Sequence, residues 1–183
     1  MTRSPDRSKN LFRNGSSFWN CYCDIADSLH QNQDLSLLGP LFVNLAFAGE
    51  LYLKTTVAAE TGVSVEGHPL DTLFNKIPQS TRAEIEGAYE AGLAKSHIRQ
   101  LLAKARPDLD LRLAAVLKEA AKTFELWRYP GEKAPLNVPG TLQFFVGAVQ
   151  TYLCTKHPAL LSALTSPLRQ TGLQIAAVAG MAA

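Results

Sequence analysis

Apolar residues recur along this chain at helical intervals, and no segment keeps the strict alternation of a half-buried strand. In FWNCYCDIADSLHQ, Phe18, Cys21 or Tyr22, Ile25 and Leu29 fall on one stripe, with Ser16 or Ser17 placed to cap a first helix. A second helix is predicted from Ser36, with Gly39-Pro40 in its first turn, where proline is tolerated. It runs through LFVNLAFAGELYLKTTVAAE to Glu60 without a breaker and ends at Gly62. Because that helix is apolar nearly all round, it belongs in the middle of the fold.

The chain restarts at Gly67-His68-Pro69, and LDTLFNKI makes a short helix closed by Pro78. Ser80 or Thr81 then caps a long segment, TRAEIEGAYEAGLAKSHIRQLLAKA, in which Thr81 and Glu84 have the spacing of a capping box. Arg106-Pro107-Asp108 breaks it. In the next helix Leu113, Val116, Leu117, Ala120 and Phe124 share a stripe. WRYPGEKAPLNVPG reads as a loop. After it TLQFFVGAVQTYLCTKH is apolar and helical, and Pro158 and Pro167 break up the last stretch. These elements predict an all-α fold: an up-and-down antiparallel bundle of five to six helices. Residues 1–15, with Arg3, Arg7, Lys9 and Arg13 against Asp6, read as a flexible basic arm, and 16–183 as a single helical-bundle domain.

Composition narrows the class. Apolar residues make up 46% of the 183 positions, enough for a core and too many for a disordered chain. A formal charge of +2 is too small to argue for nucleic acid by bulk electrostatics. Cys21, Cys23 and Cys154 form no regular framework, which fits small buried residues in a reducing, cytoplasmic compartment. The N-terminal residues lack the apolar run of a signal peptide, and Ile175–Ala183 is too short to span a bilayer, so no membrane association is expected.

Four residues stand out as candidate chemistry. Glu50 and Lys54 are one helical turn apart on the most apolar helix, where charges need partners. His68, opening a helix in GHPL, is placed to meet a carboxylate or to act as an acid–base group near neutral pH. Arg128, between Trp127 and Tyr129 at a helix end, can fork onto a carboxylate or phosphate. Folding is expected to bring Glu50, Lys54, His68 and Arg128 together as a binding cluster. His30, His97 and His157 have no sequence neighbours to work with, no metal site can be assembled from spacing, and no cofactor is implied. Glycine-rich phosphate loops, GxSxG and zincin motifs are absent.

The segment NLAFAGELYLKTTVAAETGVSVEGHPLDTLF, Asn44 to Phe74, resembles the HEPN superfamily: an apolar helix with a Glu-x-x-x-Lys pair, a short loop, then Gly-His-x-Leu-x-x-Leu-Phe. FELWRYPGE, Phe124 to Glu132, is similar to the aromatic-Arg-Tyr element of some bacterial HEPN-like proteins. The resemblance covers roughly residues 16–155. It implies a compact bundle, often dimeric, in prokaryotic stress-response, toxin–antitoxin or phage-defence systems, many of whose members are metal-independent RNases. Their signature is an arginine followed after four to six residues by a histidine. None of the four histidines here has an arginine at that spacing.

The expectation that follows is a non-catalytic or degenerate HEPN-like module for binding or dimerisation, with a homodimer and an RNA, nucleotide or protein partner. The apolar helix LQFFVGAVQTYL is the surface that would need covering by the core or by a partner. Two rivals stand beside it. One is an RNase or nucleotide-processing enzyme that uses the His/Arg/Glu/Lys cluster. The other is an unrelated structural bundle.

Overall fold

The computed structural model describes residues 5–105, 107–128 and 140–169, with side chains over 7–104, 107–121 and 140–169. Among the described residues all regular structure is helical. In chain order the α-helices are α1 (Pro5–Asn32), α2 (Leu38–Thr61), α3 (Leu70–Phe74), α4 (Gln79–Ala94), α5 (His97–Ala105), α6 (Leu113–Arg128) and α7 (Leu142–Lys156). Short 3-10 turns at Leu35–Leu37 and Pro158–Ala163 precede α2 and follow α7.

α2 is the axis of this all-α bundle. α1 lies along most of its length, and α3, α6 and α7 pack around the rest, with α4 covering α7. This explains the composition of α2. Leu35–Thr61 is long and apolar enough to cross a membrane, but helices cover it on several sides, and Glu50, Thr55 and Thr56 are buried within it. Thr55 and Thr56 bond back to the carbonyls of Leu51 and Tyr52, so neither leaves an unmet hydroxyl. Gly62 ends α2 at φ 71°, the left-handed conformation that glycine adopts without steric cost.

Several expectations change. The segment expected as a basic arm is helical from Pro5, and Phe12 in it is fully buried. The apolar positions before Ser16 outweigh the cap signal: Ser16 bonds back to the Phe12 carbonyl from inside the helix. Gly15 lets α1 approach closely, since a Cβ there would meet the Tyr52 ring at 3.0 Å. The helix expected from Ser36 starts at Leu38, because Asp34 caps a 3-10 turn first, its carboxylate accepting from the Ser36 amide.

The long segment after Pro78 is two helices. It breaks at Lys95–Ser96, where the Ser96 hydroxyl accepts from the Ile98 amide and so caps α5. That break is why, among the described residues, seven α-helices stand where five or six were expected. Thr81 caps nothing; α4 starts two residues earlier, and the Thr81 hydroxyl faces Glu60 and Tyr152. Leu113, Val116, Leu117 and Ala120 are buried as the stripe predicts, and the Phe124 side chain lies outside the described residues, as does most of the loop after Arg128.

α7 buries ten of its residues, from Leu142 to Leu153, inside the chain. Its apolar surface is therefore covered by the core and does not call for a second copy. A polar chain crosses this interior: Gln150 donates to the Tyr52 hydroxyl at 2.8 Å, and Tyr52 donates to Ser16 at 3.2 Å.

Candidate functional site

Glu50 lies halfway along α2 and is 5% exposed. An isolated carboxylate at that depth is costly, so it must be paired. One turn on, Lys54 Nζ donates to Glu50 Oε1 at 2.7 Å, and the lysine side chain is itself only 15% exposed. The third member arrives from the loop after α2. Gly67, at φ 102°, makes a turn that residues with a Cβ rarely adopt. Pro69 then precedes α3, whose Leu70, Leu73 and Phe74 are buried and fix the loop's exit.

Between them His68 turns Nδ1 toward Glu50, 3.1 Å from each carboxylate oxygen. An ionised carboxylate only accepts, so Nδ1 carries a proton, which it donates. The ring's acid–base capacity then rests on Nε2. The His68 side chain is 72% exposed while the carboxylate that aims it is 7% exposed. Glu50 and Lys54 cancel in charge, so the net charge of the three rises from zero to one when the ring is protonated. A group of this kind suits an anionic ligand or proton exchange at the surface.

Three of the four predicted residues thus come together. Arg128 is the last residue of α6, and α6 packs against α2 and α3, but its side chain lies outside the described residues. Among the described residues no group of three or more His, Cys, Asp or Glu side chains is placed to hold a metal ion.

Sequence reasoning missed a second carboxylate on α2. Glu60 Oε1 accepts from the Tyr152 hydroxyl and from His157 Nε2, both at 2.7 Å, and Oε2 accepts from Thr81 at 3.4 Å. His157, read as lacking company, is therefore paired. Burial raises the Glu60 pKa, but the bonds from Tyr152, His157 and Thr81 outweigh it and hold the carboxyl below its ordinary value. One signal was in the sequence: an acid in the last turn of a helix opposes the helix dipole and needs a compensating donor.

The cysteines divide. Cys23 is buried, Cys154 is half-buried and Cys21 is exposed, so the buried reading fails for Cys21, which sits on the outer face of α1. Burial pushes the Cys23 thiol up to about 12, with Arg169 pulling the other way, and Cys154 up to about 11, far from the range of a reactive thiolate.

No family model, curated protein or solved structure matches this chain.

Proposed function

We propose that this chain is an HEPN-like helical module that binds an anionic partner and does not cut it, with His68, Glu50 and Lys54 at the contact. One observation carries the reading: an exposed imidazole is held in one tautomer by a buried carboxylate that a half-buried lysine has already neutralised. Surface histidines need no such support to be solvated, so the support favours an oriented ligand contact. The sequence supplies the second half, because the arginine-to-histidine spacing of the RNase signature is missing. The resemblance gives the setting: a cytoplasmic homodimer in a prokaryotic stress-response or defence system, with RNA or a nucleotide as the ligand.

A second reading is favoured by the same dyad, since a carboxylate-oriented histidine is also a general base. One experiment separates the two. A labelled single-stranded RNA is incubated with the wild-type protein and with His68→Ala, and both retention and cleavage are followed. Retention of intact RNA that falls at least tenfold in His68→Ala is the expected result. Cleavage that disappears in His68→Ala establishes the enzyme instead. No retention and no cleavage leaves a structural bundle and overturns both. Sedimentation at micromolar concentration tests the dimer, and a monomer there removes it.

A further inference from the structure

The end of the described chain is fastened to the first helix by a set of bonds unlike ordinary packing. Trp19, fully buried, donates its indole N–H to the Arg169 carbonyl at 2.8 Å. Asn20 uses both ends of its amide: Nδ2 donates to the Pro167 carbonyl at 3.1 Å, and Oδ1 accepts from the Arg169 amide at 3.0 Å. The Arg169 guanidinium bonds Asp24 through one amino group and Asp27, at 2.6 Å, through the other. Leu168 packs against the core between them. Asn20, Asp24 and Asp27 are spaced four and three apart, so all three share one face of α1.

These bonds sort by what they read. Three go to backbone atoms, and they accept any extended segment whose carbonyl and amide groups stand at this spacing. Two side chains supply identity: leucine fills an apolar position, and arginine matches two carboxylates in a fork that lysine's single ammonium does not reproduce. Side chains on one helix face thus read both the backbone and the side chains of this short segment. The approach to it is loosely built. Thr165 and Ser166 are exposed, and a cleft of about 200 Å³, lined by Arg13, Ser17, Asn20 and residues 164–166 among others, lies beside the segment.

We propose that the Trp19–Asn20–Asp24–Asp27 face of α1 is a recognition site for an extended peptide carrying an apolar residue followed by arginine. The chain's own Pro167–Arg169 fills it in cis. A partner with that pattern gains access when the strap lifts. The site is separate from His68 and stands whether or not that residue binds an anion.

The test uses the full chain and a fluorescein-labelled, amidated peptide with the sequence of residues 164–169, followed by anisotropy. Wild type binds it weakly, because the tethered strap competes at an effective concentration on the order of millimolar. Arg169→Glu sets like charges against Asp24 and Asp27, evicts the strap and raises peptide affinity at least tenfold. Adding Asp24→Asn and Asp27→Asn to that variant returns affinity to the wild-type level or below, and a peptide with glutamate for arginine binds neither protein. Arg169→Ala, a milder change, moves affinity in the same direction as Arg169→Glu and decides the matter should the charge reversal disturb the fold. The proposal is overturned if Arg169→Ala, with its helical circular dichroism intact, binds the peptide no tighter than wild type, or if tight binding survives loss of both aspartates.

Discussion

Glu50 and Glu60 sit on one helix, ten residues apart, and each accepts from a histidine that arrives later in the chain. The two pairs are built for opposite ends. Glu60 gathers donors from α4, from α7 and from the residue after α7, and its histidine is only 26% exposed. Every member of that group is tied to another element, so the group joins helices. Glu50 takes one donor from its own helix and one from a loop, and its histidine stands 72% exposed. The carboxylate is the deeper of the two and the imidazole is the shallower. On the function proposed above, the deep acid and the exposed base turn His68 toward a ligand, whereas the shared depth around Glu60 makes a clasp.

The largest effect should come from Glu50→Ala. It leaves the half-buried Lys54 without its carboxylate, and breaking a pair so sheltered from water costs about 3 kcal/mol. Urea unfolding should show it as a lower midpoint with an unchanged slope. A loss under about 1 kcal/mol would mean that Lys54 reaches water easily and that Glu50 is no deeper in effect than Glu60.

Glu60→Gln should cost about 1 kcal/mol at neutral pH, because the amide oxygen still accepts but the charge is gone. The sign of its pH dependence follows from the direction of the shift. The folded pKa lies below the ordinary 4.5, so the stabilisation is present above that value and is lost as pH falls through the folded pKa. Thermal unfolding of wild type and Glu60→Gln between pH 7 and pH 3 should therefore converge at the acid end. Parallel curves would show that the carboxylate charge does nothing for the clasp.

The smallest stability effect belongs to His68→Ala, within about 0.5 kcal/mol of wild type, since the ring is mostly in water. It sharpens the comparison most, because the same substitution at His157 removes a donor to Glu60 and should cost more. Equal thermal shifts for the two variants would erase the distinction between held-out and clasping histidines.

The helices were legible because burial imposes a period, and α2, α6 and α7 carry long apolar runs that read in one way only. The Glu50–Lys54 pair was legible for the same reason: one turn of helix fixes the spacing. His68 could be anticipated from a short loop returning beside the helix it left. What escaped depends on partners remote in sequence. Thr81 looks like a cap until Glu60 and Tyr152 compete for its hydroxyl. Ser96 looks like an interior helix residue until the chain turns there. His157 has no acidic neighbour in sequence, and its carboxylate is 97 residues away. The strap on α1 was invisible because an asparagine that bonds to backbone 147 residues on leaves no pattern of its own.

The bonds from Gln150 to Tyr52 and from Tyr52 to Ser16 have a consequence for how α1, α2 and α7 line up. Apolar surfaces are forgiving partners: a leucine face slid by one turn, about 5.4 Å, meets another leucine face. Two hydrogen bonds in series are not. Shifting α1 along α2 by that distance leaves the buried Tyr52 hydroxyl proton without its acceptor, and shifting α7 leaves the buried Gln150 amide without its own. Each misalignment carries the cost of an unmet buried polar group. The three side chains therefore work as a vernier, selecting one axial setting of three helices among several that hydrophobic contact alone would accept.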